Sequence, residues 1–184
     1  LDLSDDIRAT LGAVRTLGVR AALENGVCTV SAGECEPGTV SLDCGESGST
    51  LRFLIPIAAA LGVSAVFTGH GRLPSRPIGL YAELLPQHGV SCRTQGGLPF
   101  ATEGRLTPGY FPVPGNVSSQ FITGLLFALP RLHGDSEIVL TAPLESKGYI
   151  DLTVEVLRGF GISVRETPRG WLVPGGQAYR APSY

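Results

Sequence analysis

The sequence contains no methionine, only three histidines and only four cysteines in 184 residues. Cys28, Cys35, Cys44 and Cys92 form no C-x-x-C pair, and His70, His88 and His133 are not at metal-ligand spacing. A metal centre is therefore not expected, and the cysteines read as free thiols of a cytoplasmic protein. An excess of basic charge is missing as well. The formal net charge is -2 and the isoelectric point about 5.9, which leaves no global field to attract nucleic acid. No apolar run approaches the roughly 20 residues that cross a bilayer, so no membrane partner is expected. The start, Leu1-Asp2-Leu3-Ser4-Asp5-Asp6, is acidic, carries no signal-peptide pattern and has no initiator methionine. It reads as the start of a trimmed or excised piece. Catalytic signatures are scarce too. There is no Ser/His/Asp triad order and no Walker A run, and Gly69-His70-Gly71 lacks the third glycine of a dinucleotide fingerprint. No cofactor is expected, and no carboxylate pair is set for general acid–base work.

What the chain does have is apolar material and internal order. Hydrophobic residues make up 43% and the mean hydropathy is +0.20, enough for a sizeable core in one large or two small domains. Ser4, Ser75 and Ser146 lie 71 residues apart, and Ile7, Ile78 and Ile150 follow at nearly the same phase. Gly18-Val19, Gly89-Val90 and Gly161-Ile162 come next. Each copy reads as a helix (5–17, 77–88, 149–160), a glycine at the C′ position, and two strands. The hairpin turns fall at Asn25-Gly26, Gly96-Gly97 and Arg169-Gly170. Between these copies lie two more apolar helices, 49–61 and 118–129, each leading into a strand. Leu51, Leu54, Ile55, Ala58 and Leu61 in the first, and Phe121, Leu125, Leu126 and Leu129 in the second, predict burial on most sides. Pro56 is expected to kink or break the first. The unit is βαβαββ, an α/β (α+β) fold with buried helices and outer sheets. The copies run over about 1–35, 36–105 and 106–184, the first lacking its opening half.

The candidate site is a set of polar helix starts. Gly45-Glu46-Ser47-Gly48-Ser49-Thr50-Leu51-Arg52, Gly115-Asn116-Val117-Ser118-Ser119-Gln120, Ser75-Arg76-Pro77 and Ser146-Lys147 each put hydroxyls, amides or a cation ahead of an apolar helix. First-turn N–H groups lack intrahelical partners and sit at the positive dipole end, which suits phosphate or carboxylate. Arg76 can form a bidentate pair with such a group, Gln120 can donate and accept at once, and Tyr149 can lie against a small ring. Plainer roles stand beside these. Ser118, Ser119 and Ser146 can be simple N-caps. Arg52 can be a buried structural cation, Glu46 a turn cap or a partner of Arg52, and His70 a loop residue. Asp151 and Glu155 read as a solvated helix face.

The stretches G-E-S-G-S-T-L-R-F-L (45–54), R-L-P-S-R-P-I-G (72–79), G-N-V-S-S-Q-F-I-T-G-L-L (115–126), E-S-K-G-Y-I-D-L-T (145–153) and G-G-Q-A-Y-R-A-P (175–182) resemble the EPSP synthase family, 3-phosphoshikimate 1-carboxyvinyltransferases. The resemblance runs over essentially the whole chain. It implies a transferase of the shikimate pathway, which leads to chorismate and the aromatic amino acids, with two domains of three βαβαββ units each. Such an enzyme moves the enolpyruvyl group of phosphoenolpyruvate to the 5-hydroxyl of shikimate 3-phosphate and releases phosphate. Carried over by position, Ser118, Ser119, Gln120, Ser146 and Tyr149 would bind shikimate 3-phosphate. Gly48, Arg76 and Gln120 would bind phosphoenolpyruvate, and Arg52 and Lys147 would be structural or adjacent to the site. Glu46, Phe53 and Gly148 depart from common family residues and leave glyphosate sensitivity open. The family's opening Lys-Ser-x-x-x-Arg segment and its second domain, with the proton-transfer acids, have no counterpart. The expectation is thus a single truncated domain, inactive alone, with the absent domain as partner and a homodimer through exposed faces. Two alternatives remain: UDP-N-acetylglucosamine enolpyruvyl transferase, which shares the fold and chemistry, and a non-catalytic anion-binding module.

Overall fold

The computed structural model describes residues 3–35 and 37–181; Pro182, the last residue of the closing motif, lies outside them. Helix α1 (Asp5–Thr16) starts where the Ser4 hydroxyl accepts from the Ile7 amide at 3.3 Å. It ends before Gly18, whose φ of 91° reverses the chain. A hairpin follows, β1 (Arg20–Glu24) and β2 (Val27–Ser31), closed by Asn25 and Gly26 with φ of 51° and 78°. Two positive φ values in succession match the right-handed twist of paired strands.

Two units of equal topology come next. The first runs β3 (Val40–Asp43), α2 (Gly48–Leu61), β4 (Ala65–Thr68), α3 (Gly79–Leu84), β5 (Val90–Arg93) and β6 (Phe100–Gly104). The second runs β7 (Tyr110–Pro114), α4 (Ser119–Ala128), β8 (Ser136–Ala142), α5 (Lys147–Gly159), β9 (Arg165–Thr167) and β10 (Gly170–Val173). The sheets are ordered β3-β4-β6-β5 and β7-β8-β10-β9, with a parallel pair followed by two antiparallel pairs in each. Inward positions alternate with outward ones along β3 and β4, so one sheet face meets the core.

The core lies around α2 and α4, which pack on each other and are buried on most sides. Leu61, expected inside, is 47% exposed at the last turn of α2. Pro56 does not break α2. The helix continues through it to Gly62, because the carbonyl that the proline leaves without a donor, that of Arg52, accepts the Tyr81 hydroxyl at 2.8 Å. The third expected helix is shorter than the spacing implied: α3 covers six residues and gives way to a 3-10 turn at Leu85–His88, where Pro86 interrupts the α-helical ladder. Gly170 begins β10 rather than sitting in the β9–β10 turn. All four cysteines are free, and burial raises the Cys44 thiol to about 12. Among the described residues no helix is long and apolar enough to cross a membrane.

Candidate functional site

A cleft of about 790 Å³ opens beside the first turns of α2 and α4 and along one face of α5. At its polar end stand Ser49, Arg52, Arg76, Ser118, Ser119 and Gln120; at its apolar end Phe53, Phe127, Leu152 and Val156. Tyr149, 69% exposed, lines it from α5.

The polar end is built around Gly48. A Cβ there would stand 2.9 Å from Nη1 of both Arg52 and Arg76 and 3.5 Å from the Gln120 Oε1. Two guanidiniums and an amide thus converge on the first residue of α2, where backbone N–H groups point outward. Arg52 projects from an otherwise apolar helix and is 5% exposed. Its Nη1 donates to Gln120 Oε1 at 2.7 Å and its Nη2 to the Pro77 carbonyl at 2.9 Å. Its Cζ lies 5.1 Å from the Phe121 ring centroid. Its Nε is buried without a hydrogen-bond partner among the described residues. The ion pairs among the described residues involve neither Arg52 nor Arg76. Burial, and then the neighbouring Arg76 charge, pull the Arg52 pKa below the usual arginine range. Two uncompensated like charges facing a helix N-terminus are relieved by an anion between them.

The serines divide. Ser118 is the N-cap of α4, its Oγ accepting from the Gln120 amide at 3.3 Å. Ser119 lies in the first turn and lines the cleft. Ser146 precedes α5 in the left-handed region, with φ 59° and ψ 38°, and its side chain makes no capping bond. A serine held there at a cost of order 1–3 kcal/mol is not explained by capping. Ser146 and Lys147 are exposed and do not line the cleft. Lys147 turns to Asp151 Oδ1 at 2.6 Å and Glu166 Oε1 at 3.3 Å. Asp151 and Glu155 are both exposed, as read for a solvated helix face, and Asp151 pairs with Lys147 there. Glu46 does not meet Arg52; its Oε1 accepts from the Arg72 amide at 3.0 Å. His70 is an exposed loop residue.

Several lining residues escaped sequence reasoning. Phe53 and Phe127 stack edge to face, 5.4 Å apart, and wall the apolar end. Thr123 and Thr153 join α4 to α5 through hydroxyls 3.1 Å apart. Both threonines interrupt helical apolar faces, the signal that marks them as paired rather than packed. Among the described residues the cleft is lined by no aspartate, glutamate or histidine.

A family model described as EPSP synthase (3-phosphoshikimate 1-carboxyvinyltransferase) matches residues 1–184. The 3-phosphoshikimate 1-carboxyvinyltransferase of Clostridium kluyveri is 42% identical over 183 residues, covering 98% of this chain and 43% of that protein. That of Clostridium novyi is 38% identical over 193 residues, covering 98% and 44%. The chain therefore spans less than half the length of these relatives. Among solved structures, an EPSP synthase from Acinetobacter baumannii superposes with a TM-score of 0.82 at 26% identity, covering 98% of this chain and 41% of that one. The enolpyruvyl transferase NikO from Streptomyces tendae, at 20% identity and a TM-score of 0.63, shares the fold over 97% of this chain and 43% of its own. A family model that matches residues 1–184, joined to two successive units of the same βαβαββ topology, means that the chain belongs to the EPSP synthase family.

Proposed function

We propose that this chain is the shikimate 3-phosphate-binding part of a 3-phosphoshikimate 1-carboxyvinyltransferase, an enzyme that moves the enolpyruvyl group of phosphoenolpyruvate to the 5-hydroxyl of shikimate 3-phosphate and releases phosphate. The observation that carries the reading is the convergence of Arg52, Arg76 and Gln120 on Gly48, beside a cleft that Ser118, Ser119 and Tyr149 also line. Both substrates are anions. Arg76 takes the phosphoenolpyruvate phosphate, with the first-turn amides near Gly48 beside it. Gln120 has its oxygen engaged by Arg52, so its NH₂ is left to donate to either substrate. Ser118, Ser119 and Ser146 hold the shikimate phosphate, and Tyr149 packs on the ring.

These groups neutralise charge and fix the hydroxyl against the enol carbon. Proton transfer falls to groups other than those lining the cleft, which offer no titratable acid or base near neutrality. The chain alone is expected to bind without turnover. No cofactor enters this reading. Residues 1–184 form one enolpyruvyl transferase domain with copies at about 1–35, 36–105 and 106–184. Its macromolecular partner is the rest of the enzyme, and its compartment is the cytoplasm. Exposed apolar faces away from the cleft, such as Val27 and Val30 of β2, pair two copies; light scattering at the monomer mass would refute that pairing.

Titration with shikimate 3-phosphate, followed by amide NMR, tests the reading. Shifts centred on Ser118, Ser119, Gln120, Ser146 and Tyr149 are expected. Their absence at millimolar ligand would overturn it for the isolated chain.

A further inference from the structure

We infer that Tyr81 is a positioning residue that holds the Arg52 guanidinium in place by supplying the hydrogen bond Pro56 removes from α2. The inference rests on the anion-site reading of the start of α2 only for its consequence; the geometry stands without it. In an α-helix the carbonyl of residue 52 accepts from the amide of residue 56, and here residue 56 is proline, which has none. The Tyr81 hydroxyl, from α3, donates to that carbonyl at 2.8 Å and lies 3.1 Å from the Phe121 carbonyl of α4. One buried hydroxyl therefore ties α2, α3 and α4 together at the residue that bears the guanidinium.

Three further contacts converge there. The Tyr81 ring meets Phe121 edge to face at 4.9 Å, and the Arg52 guanidinium lies over the same Phe121 ring at 5.1 Å. Gly124 of α4 clears the space. A Cβ at Gly124 would fall on the Arg52 carbonyl oxygen, 2.6 Å from the Tyr81 hydroxyl and 3.1 Å from Pro56 Cγ. Complete burial keeps the hydroxyl protonated and so a donor at every working pH. Tyr81 itself does not line the cleft. Without its hydroxyl the Arg52 carbonyl is orphaned in the core, α2 is free to adjust around Pro56, and the Arg52 side chain loses the fixed backbone from which it projects.

The test is a cycle of Tyr81→Phe, Pro56→Ala and the double variant, read on the ligand-free chain by the rotation rate of the Arg52 guanidinium in ¹⁵N-arginine NMR. Tyr81→Phe is expected to speed that rotation about twofold to fivefold, less than the worth of a whole hydrogen bond, because the lost bond is to the Arg52 backbone while the guanidinium keeps its bonds to Gln120 and Pro77. Pro56→Ala restores an amide to the Arg52 carbonyl, so the double variant returns toward the wild-type rate. A rate unchanged in Tyr81→Phe, or equally raised in both, would overturn the assignment. Should Tyr81→Phe not fold, recovery of folding in the double variant supports it and failure of the double overturns it. A parallel titration with inorganic phosphate, read on the Gly48 and Ser49 amides, separates the two ideas. Wild-type chain without phosphate shifts would sink the anion-site reading and leave the Arg52 rotation rates to decide the role of Tyr81.

Discussion

Helices α2 and α5 begin alike in the sequence, with a serine ahead of an apolar run and a cation within the first turns, yet they form opposite surfaces. At α2, Ser47 caps the helix by accepting from the Thr50 amide at 3.2 Å, and Arg52 is buried with no carboxylate paired to it among the described residues. At α5, Ser146 caps nothing, and Lys147 is exposed and held by two carboxylates. The first helix engages its hydroxyl in a cap and leaves its cation without an ion pair among the described residues; the second leaves its hydroxyl out of the cap and pairs its cation. A polar helix start thus locates an N-terminus without revealing which of its groups are engaged. The neighbours brought in by the fold decide that.

The comparison breaks most readily at Arg52. Arg52→Met keeps most of the volume and removes the charge, and it should weaken inorganic phosphate or phosphoenolpyruvate binding roughly tenfold to hundredfold, the worth of a charge-assisted hydrogen bond. Stability should change little, because an unmatched buried cation that repels Arg76 is lost along with its bonds to Gln120 and Pro77. Calorimetric titration and thermal unfolding read the two effects separately. A collapse of the unfolding midpoint with unchanged affinity would make Arg52 a structural cation and erase the contrast with α5.

Gly48→Ala acts on the same point from the backbone. A methyl there forces two flexible guanidinium ends aside, while alanine favours the helix by up to about 1 kcal/mol. Phosphate affinity should fall about tenfold as the midpoint holds or rises. Affinity that survives would show that the two arginines need not converge on the first turn of α2.

Much of this was legible in the sequence. The 71-residue spacing of serines, the glycines that follow three helices with φ of 91°, 82° and 78°, and the apolar runs of α2 and α4 are local signals, and local signals survive folding. Pro56 misled because its repair comes from Tyr81, a residue 25 positions on that only tertiary packing brings near. Glu46 had two readings, a turn cap or a partner of Arg52, and its carboxylate takes the Arg72 amide in the turn, a choice that only tertiary packing makes. The cleft's apolar wall of Phe53 and Phe127 was invisible because each looks like a core residue on its own helix.

The serines sharpen the comparison at smaller scale. Ser118→Ala removes a cap and should cost about 1 kcal/mol, a drop in midpoint of roughly 2–4 °C for a chain of this size. Ser146→Ala removes no cap and should leave stability within about 0.5 kcal/mol. Both should weaken shikimate 3-phosphate binding if both hydroxyls meet its phosphate. Equal loss of stability in the two variants would mean that Ser146 has a structural partner and that the start of α5 is not a free hydroxyl end.

The smallest effect belongs to Lys147, the sole lysine in the sequence. Its two carboxylates raise its pKa by accepting hydrogen bonds from its ammonium, Asp151 first and then Glu166, so it stays charged and stays turned toward them. A cation already neutralised by two anions contributes little to a third, and exposed ion pairs contribute little to folding. Lys147→Ala should therefore change phosphate affinity by less than about twofold, where Arg52→Met changes it by an order of magnitude or more. Asp151→Asn with Glu166→Gln is the converse experiment, since it frees the ammonium without moving it along the helix. If phosphate affinity then rises at the start of α5, engagement by neighbours, and not the identity of the cation, is what separates the two helix starts.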